Sequence, residues 1–169
     1  MAGISDTVFR LLMRELGAQV VVSELLSAEG MIRKGRKTLD MMAYDERERP
    51  FGIQIFGSSV ATMTEAVRMV QDFGADFVDI NFGCPVKKVV CDGGGAAWLR
   101  DLVQLGKLLE SIKSVLRIPL TIKVRTGWDE RIAARSTTGA SSSNAPITAY
   151  LPGDKDSTWF TWAVRNTGE

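Results

Sequence analysis

The stretch FVDINFGCPVKKVV, residues 77–90, predicts a buried strand that ends at a thiol. Its aliphatic residues alternate with Asp79 and Asn81, which is the two-residue period of a strand with two different faces. Gly83 frees the backbone after the strand, and the proline that follows Cys84 prevents the strand from continuing. The cysteine is therefore expected in the loop directly after the strand, next to two lysines.

From the residues alone, Cys84 has a catalytic and a structural interpretation. The carboxyl end of a strand is where a β/α-barrel enzyme places its reactive groups. Lys87 and Lys88 would there favour a thiolate or help to hold an anionic ligand. A free cysteine is, however, most often a small buried hydrophobic residue. Both interpretations stay open at this point.

Outside this stretch, the chain repeats the order of a strand followed by a helix. Strand patterns occupy residues 19–25, Phe51–Phe56 and Leu120–Arg125. Helical patterns run from Ser5 or Asp6 to Leu16 (with Val8, Leu12 and Leu16 on one side), from Ser58 or Ser59 to Phe73, and from Asp101 to Leu116. The repeated order predicts an α/β fold with parallel strands and crossover helices. A chain of 169 residues is expected to bury one core.

Three polar residues lie late in the predicted strands, on the side opposite the aliphatic residues. They are Gln54, Asn81 and Lys123. In a β/α barrel the helices cover the outer face of the strands, so these side chains would point into the barrel near its carboxyl mouth. Their convergence beside Cys84 suggests a ligand. The alternative is a polar core layer whose members satisfy one another.

Composition argues against several other classes of function. The net charge is +1, so no overall basic field indicates nucleic-acid binding. The chain has no histidine, which excludes Ser-His and Cys-His catalytic pairs within it. Cys84 and Cys91 lie too far apart for a CxxC motif, so no metal site is expected, and two cysteines suit a reducing cytosol. No run approaches the length of a membrane span, and the start lacks a signal-peptide pattern.

A short basic cluster, RKGRK, occupies residues 33–37. Such a cluster is most often a solvated surface turn. The alternative is a contact with RNA phosphates near the mouth of the site.

Several motifs, in order along the chain, resemble the tRNA-dihydrouridine synthases. NFGCP at residues 81–85, followed by Lys87-Lys88-Val89, resembles the active-site signature of that family. Further matching stretches are MAGISD at 1–6 with Phe9-Arg10, SE at 23–24, QIFG at 54–57, DGGG at 92–95 and IKVRTGW at 122–128. The resemblance covers residues 1 to about 131.

The resemblance implies part of a TIM (β/α)8 barrel, which in the family is followed by a helical RNA-binding domain. Family members use FMN, reduced by NADPH, to convert uridine in tRNA to 5,6-dihydrouridine. The flavin delivers a hydride to C6 of the uracil, and the residue matching Cys84 protonates C5 from the opposite face. The residues expected to contact the flavin are Met1, Ala2, Gln54 and Lys123, and those expected to contact the substrate are Asn81 and Arg125. The implied flavoprotein binds tRNA and is expected in the cytoplasm.

We predict a division of the chain at residue 131. Residues 1–131 form a partial FMN-binding barrel domain, and residues 132–169 form a low-complexity tail unrelated to the family. Residues 133–155 are expected to be disordered, since their Ser/Thr/Gly/Ala-rich run lacks the apolar content that would offset the entropy of ordering. The family's later His-Gly-Arg-Thr segment has no match in the sequence.

Two alternatives to a tRNA-modifying enzyme stay open, because the resemblance covers only part of the family's barrel. The chain covers about half of a barrel of about 250 residues, so it is alternatively a non-catalytic remnant or a module that depends on a partner. It is also alternatively another FMN barrel reductase that acts on a free pyrimidine. The sequence does not give the oligomeric state.

Overall fold

The computed structural model describes residues 3–125, 147–150 and 159–164. The helices are α1 (Thr7–Glu15), α2 (Ala28–Ile32), α3 (Arg36–Asp40), α4 (Val60–Phe73), α5 (Lys87–Cys91) and α6 (Leu102–Val115), with 3₁₀ turns at Glu46–Glu48 and Gly95–Arg100. The strands are β1 (Val21–Ser27), β2 (Phe51–Phe56), β3 (Phe77–Phe82), β4 (Leu120–Arg125), β5 (Ile147–Tyr150) and β6 (Trp159–Val164). They form one sheet in the order β1-β2-β3-β4-β6-β5.

The first four strands are parallel, and each lies beside the next along the chain. Helices connect them, because parallel neighbours require a crossover rather than a tight turn. The predicted fold class is therefore confirmed: this is an α/β chain whose parallel strands and alternating helices correspond to part of a TIM barrel.

One hydrophobic cluster joins the aliphatic side of the strands to α2, α4 and α6. Its fully buried members include Ile55 on β2, Ile80 on β3, Val67 on α4 and Ile112 on α6. The alternation of each strand places these aliphatic residues under the helices. The polar residues between them consequently face the opposite side of the sheet.

Helix α4 begins and ends as its sequence predicts. The Ser59 side chain accepts a hydrogen bond from the Thr62 backbone N–H and caps the first turn. Gly74 follows the last turn with a φ of 95°, a left-handed conformation that glycine adopts without a steric penalty.

Helix α1 turns its apolar side towards solvent. Val8, Leu12 and Leu16 share one side as predicted, but they are 75%, 49% and 72% exposed. The residue that the helix buries is Arg10, which is 3% exposed. Periodicity thus identified which residues share a face, while the buried arginine determines which way that face points.

Arg10 is buried because it has a full set of partners. Its Nε lies 2.5 Å from Oε2 of Glu48, whose side chain is 0% exposed. Its two Nη atoms donate to the carbonyl oxygens of Ser5, at 2.6 Å, and Ala43, at 2.8 Å. The guanidinium carbon also lies 4.8 Å from the ring centroid of Phe51. This ion pair joins α1 to the segment that leads into β2.

Two segments of the predicted tail take part in the sheet. Strand β6 pairs antiparallel with β4, and β5 pairs antiparallel with β6. Of the span 133–155 in which disorder is expected, the structure describes Ile147–Tyr150 as a strand, and the other residues lie outside the described part. The division at residue 131 also falls outside the described residues and stays a prediction. Within the described residues, no helix has the length and apolar character needed to cross a membrane.

Candidate active site

The predicted site residues for which the structure gives positions lie at the carboxyl ends of three neighbouring strands. Gln54 is on β2, Asn81 is on β3, Lys123 and Arg125 are on β4, and Cys84 is in the loop after β3. Met1 and Ala2 lie outside the described residues. The strand register places Asn81 opposite Lys123, and it places Gln54 opposite Asp79 on the same side of the sheet. Parallel pairing thus brings these polar side chains to one end of the sheet, as the sequence predicts.

Asn81 connects Gln54 to the cysteine loop. The Asn81 Nδ2 donates to the Gln54 Oε1 at 3.1 Å. The Asn81 Oδ1 accepts from the backbone N–H groups of Gly83, at 3.0 Å, and Cys84, at 2.9 Å. The amide of one strand residue therefore fixes the first turn of the loop that carries the thiol.

Asp79 lies at the other end of this hydrogen-bond network. One carboxylate oxygen accepts from the Gln54 Nε2 and the other from the Thr121 hydroxyl, both at 2.5 Å. The Asp79 side chain is 3% exposed. Burial raises the pKa of Asp79 above its ordinary value, and the hydrogen bonds from Thr121 and Gln54 and the nearby Lys123 charge only partly oppose this effect.

The free energy of unfolding of an Asp79→Asn variant should improve relative to the parent protein as pH rises. A carboxyl whose pKa is raised by folding favours the folded state fully only below its unfolded pKa of about 3.8, and this contribution is lost as pH rises through the folded pKa. Asparagine has no such loss because it stays neutral. Urea unfolding of both proteins between about pH 4 and pH 8 measures the difference. A difference that stays constant over this range would contradict the prediction.

The Cys84 loop is also held from its far side. The Cys84 carbonyl accepts from the Ala96 N–H at 3.1 Å, and the thiol residue is half-buried. Gly95 has a φ of 57°, and a Cβ there would lie 2.7 Å from the Cys84 carbonyl oxygen. The Arg125 Nε donates to the Gly83 carbonyl at 2.7 Å. Two separate segments therefore hold the loop against the end of β3.

Glu24 organises the turn before α1. Its carboxylate accepts from the backbone N–H of Gly3 at 2.6 Å and from that of Ser5 at 2.5 Å. The same strand places the Ser23 Oγ 3.1 Å from the backbone N–H of Gln54. The residues that follow Met1 and Ala2 are thus tied to β1, the strand beside Gln54.

A cleft of about 430 Å³ opens beside the cysteine loop. It lies at the ends of β1 and β2, against α5. Its lining residues are Ser27, Glu29, Arg33, Phe56, Gly57, Ser58, Lys88, Val89, Asp92 and Gly94. The cleft brings Arg33, from the predicted basic cluster, to the same concave surface as Lys88, from the loop after the cysteine.

Sequence reasoning did not assign roles to Asp79, Thr121 and Glu24. A signal for two of them was present: Asp79 lies two residues before Asn81, and Thr121 lies two residues before Lys123, so each pair shares a strand face. Nothing local to Glu24 indicates its bonds to a turn about twenty residues earlier. Among the described residues, no group of three or more cysteine or acidic side chains has an arrangement that could hold a metal ion.

Comparison with known proteins identifies the family. Residues 1–140 match the family model described as dihydrouridine synthase (Dus). The chain is 39% identical over 129 residues to tRNA-dihydrouridine synthase B of Pseudomonas aeruginosa, covering 76% of this chain and 39% of that protein. It is 36% identical over 132 residues to a probable tRNA-dihydrouridine synthase of Rickettsia bellii, covering 78% and 40%. The chain thus spans about two fifths of the length of these relatives, and it belongs to the dihydrouridine synthase family.

Proposed function

We propose that this chain carries part of the active site of an enzyme that reduces uridine to 5,6-dihydrouridine in tRNA. The observation that carries the proposal is the hydrogen-bonded junction of Gln54, Asn81 and the Cys84 loop at the carboxyl ends of parallel strands. The family membership supports the same reaction, because the similar proteins are named as tRNA-dihydrouridine synthases. NADPH is the proposed reductant.

The polar side of the sheet has the donors that a flavin ring needs. Gln54 provides an amide. Lys123 provides an ammonium group that is close enough to Asp79 for its charge to oppose the rise in the pKa of that carboxyl. A cation near the ring stabilises the anionic reduced flavin, so Lys123 is proposed to contact FMN together with Gln54, Met1 and Ala2. FMN, when bound, supplies the hydride for the reduction.

Cys84 is proposed to donate the proton that completes the reduction at C5 of the uracil. Its loop is held by Asn81 and by the hydrogen bond from the Ala96 N–H, so the backbone that carries the thiol is fixed at the end of β3. A general acid must lie within hydrogen-bond reach of the atom that it protonates, which is what such a fixed loop allows. Asn81 and Arg125 are proposed to position the base beside the thiol.

The substrate is proposed to approach across the cleft beside α5. Arg33 and Lys88 both line this cleft, and cations at this place suit contacts with RNA phosphates. The phosphate contacts would position the RNA, and the target uridine would leave its stack to reach the site, as in other enzymes that act on a base. The cytoplasm is the proposed location.

Deletion of the gene that encodes this chain should remove dihydrouridine from at least one position of the organism's tRNA. Mass spectrometry of nuclease-digested tRNA measures the loss, and a plasmid copy of the gene should reverse it. The visible absorbance of the purified protein shows in parallel whether a flavin is bound. Unchanged tRNA together with a bound flavin would point instead to a reductase of free pyrimidines. Unchanged tRNA without a flavin would point to a non-catalytic remnant.

A further inference from the structure

The amide groups between β2 and β3 have only one consistent orientation. The Asn81 Oδ1 accepts from the backbone N–H groups of Gly83 and Cys84, so the Asn81 Nδ2 has to face Gln54. The Gln54 Oε1 accepts that bond, and the Gln54 Nε2 consequently faces Asp79. Backbone donors thus determine the direction of every hydrogen bond in the chain of contacts.

Only an acceptor at Asp79 completes this series of hydrogen bonds. Its Oδ2 meets the Gln54 Nε2, and its Oδ1 meets the Thr121 hydroxyl. A donor in place of Oδ2 would face the Gln54 Nε2, which is itself a donor. Turning the Gln54 amide over would then place its NH2 group against the Asn81 Nδ2, which is also a donor. Because these groups are buried or half-buried, water does not readily replace a lost partner.

We propose that Asp79 is a positioning residue for Cys84. Its carboxylate fixes the amide of Gln54, Gln54 fixes the amide of Asn81, and Asn81 holds the backbone of the cysteine loop. The importance of this arrangement for catalysis rests on the proposed function, whereas its effect on the thiol can be measured without any reaction on RNA.

The hydrogen-bond role of Asp79 can be separated from its charge. In Asp79→Asn, the new side chain can turn its oxygen to Gln54 and its NH2 to the Thr121 hydroxyl, which can accept a hydrogen bond as well as donate one. This variant keeps the acceptor and removes the charge. Asp79→Leu removes both.

The experiment measures the alkylation rate of Cys84 by iodoacetamide in the full chain with Cys91→Ser, which leaves Cys84 as the remaining thiol. The limiting rate at high pH reports access to the thiol, and the midpoint of the pH profile reports the charge around it. Asp79→Leu should raise the limiting rate by about two- to tenfold, the change in an equilibrium that one lost hydrogen bond produces. Asp79→Asn should leave the limiting rate unchanged. Rates are read under conditions where circular dichroism shows each variant to be folded.

A rescue experiment tests the direction of the contacts. Gln54→Glu places an oxygen opposite the Asp79 carboxylate and should raise the limiting rate as Asp79→Leu does. In the double variant Gln54→Glu/Asp79→Asn, the asparagine NH2 can donate to the new carboxylate, whose other oxygen still accepts from Asn81. The double variant should therefore return towards the rate of the Cys91→Ser protein, which would show that the two side chains act as a pair. The comparison of Asp79→Asn with Asp79→Leu separates the hydrogen bond from the charge.

Three results would overturn the proposal: an equal rise of the limiting rate in Asp79→Leu and Asp79→Asn, no change in either, or failure of the double variant to recover. The first would indicate that Asp79 acts through its charge or its packing. A positive result in these rates combined with unchanged tRNA in the gene deletion would reject the proposed reaction and leave the positioning role of Asp79 intact.

Discussion

Replacing Cys84 with alanine should lower the rate of dihydrouridine formation by about 10²–10⁴-fold, or about 3–5.5 kcal/mol, since a placed general acid typically contributes that much. The test uses a hybrid in which residues 1–125 of this chain replace the matching part of a tRNA-dihydrouridine synthase. FMN should stay bound, because Gln54 and Lys123 are unchanged and alanine removes only a sulfur atom from the loop. Single-turnover oxidation of the reduced flavin by tRNA measures the rate.

Cys91→Ala is the matched control for this experiment. Cys91 is exposed on the last turn of α5, whereas Cys84 is half-buried at the end of β3. The control variant should therefore keep the parental rate. Equal losses in the two variants would indicate structural damage, and full activity of Cys84→Ala would remove the thiol from the mechanism.

Arg10→Ala should destabilise the fold by about 3–5 kcal/mol, which is the usual result of removing one partner of a buried ion pair. The substitution leaves the Glu48 carboxylate, 0% exposed, without its cation. It also leaves the carbonyls of Ser5 and Ala43 without the hydrogen bonds that Arg10 donates. Urea unfolding at neutral pH measures the loss of free energy.

Arg47→Ala provides the comparison for an exposed ion pair. Arg47 is paired with Asp45 at 2.8 Å, but its side chain is 72% exposed. Exposed pairs contribute at most about 1 kcal/mol, so this variant should unfold close to the parental denaturant midpoint. Similar losses in the two variants would show that Arg10 contributes no more than a surface contact.

The alternation of the strands allowed much of the parallel sheet to be predicted. The observed limits of β2 and β4 are the predicted ones, because both runs alternate clearly. Pro50 and Gly57 bound the first run, and Pro119 precedes the second. The meeting of Gln54, Asn81 and Lys123 followed from the parity of each residue in its strand together with the parallel order. Local pattern and topology were sufficient there.

Contacts between distant segments were the part that local patterns did not give. The pattern of Val8, Leu12 and Leu16 shows which residues share one side of the helix but not which side is buried. The helix buries Arg10 because Glu48 lies across from it. The partner is 38 residues further along the chain, so no periodicity within the helix reveals it. Asp79 similarly has only the pattern of a polar strand residue, because its role depends on an amide contributed by another strand.

The hydrogen bond from the Ala96 N–H to the Cys84 carbonyl closes the segment between these two residues into a loop of fixed length. The entropic cost of closing this loop is part of the free energy of folding, so the binding of a ligand does not have to include it. The length of the segment is consequently part of the site. Adding or removing a residue between Cys84 and Ala96 would therefore move the sulfur away from its position, even though no side chain in the site had changed.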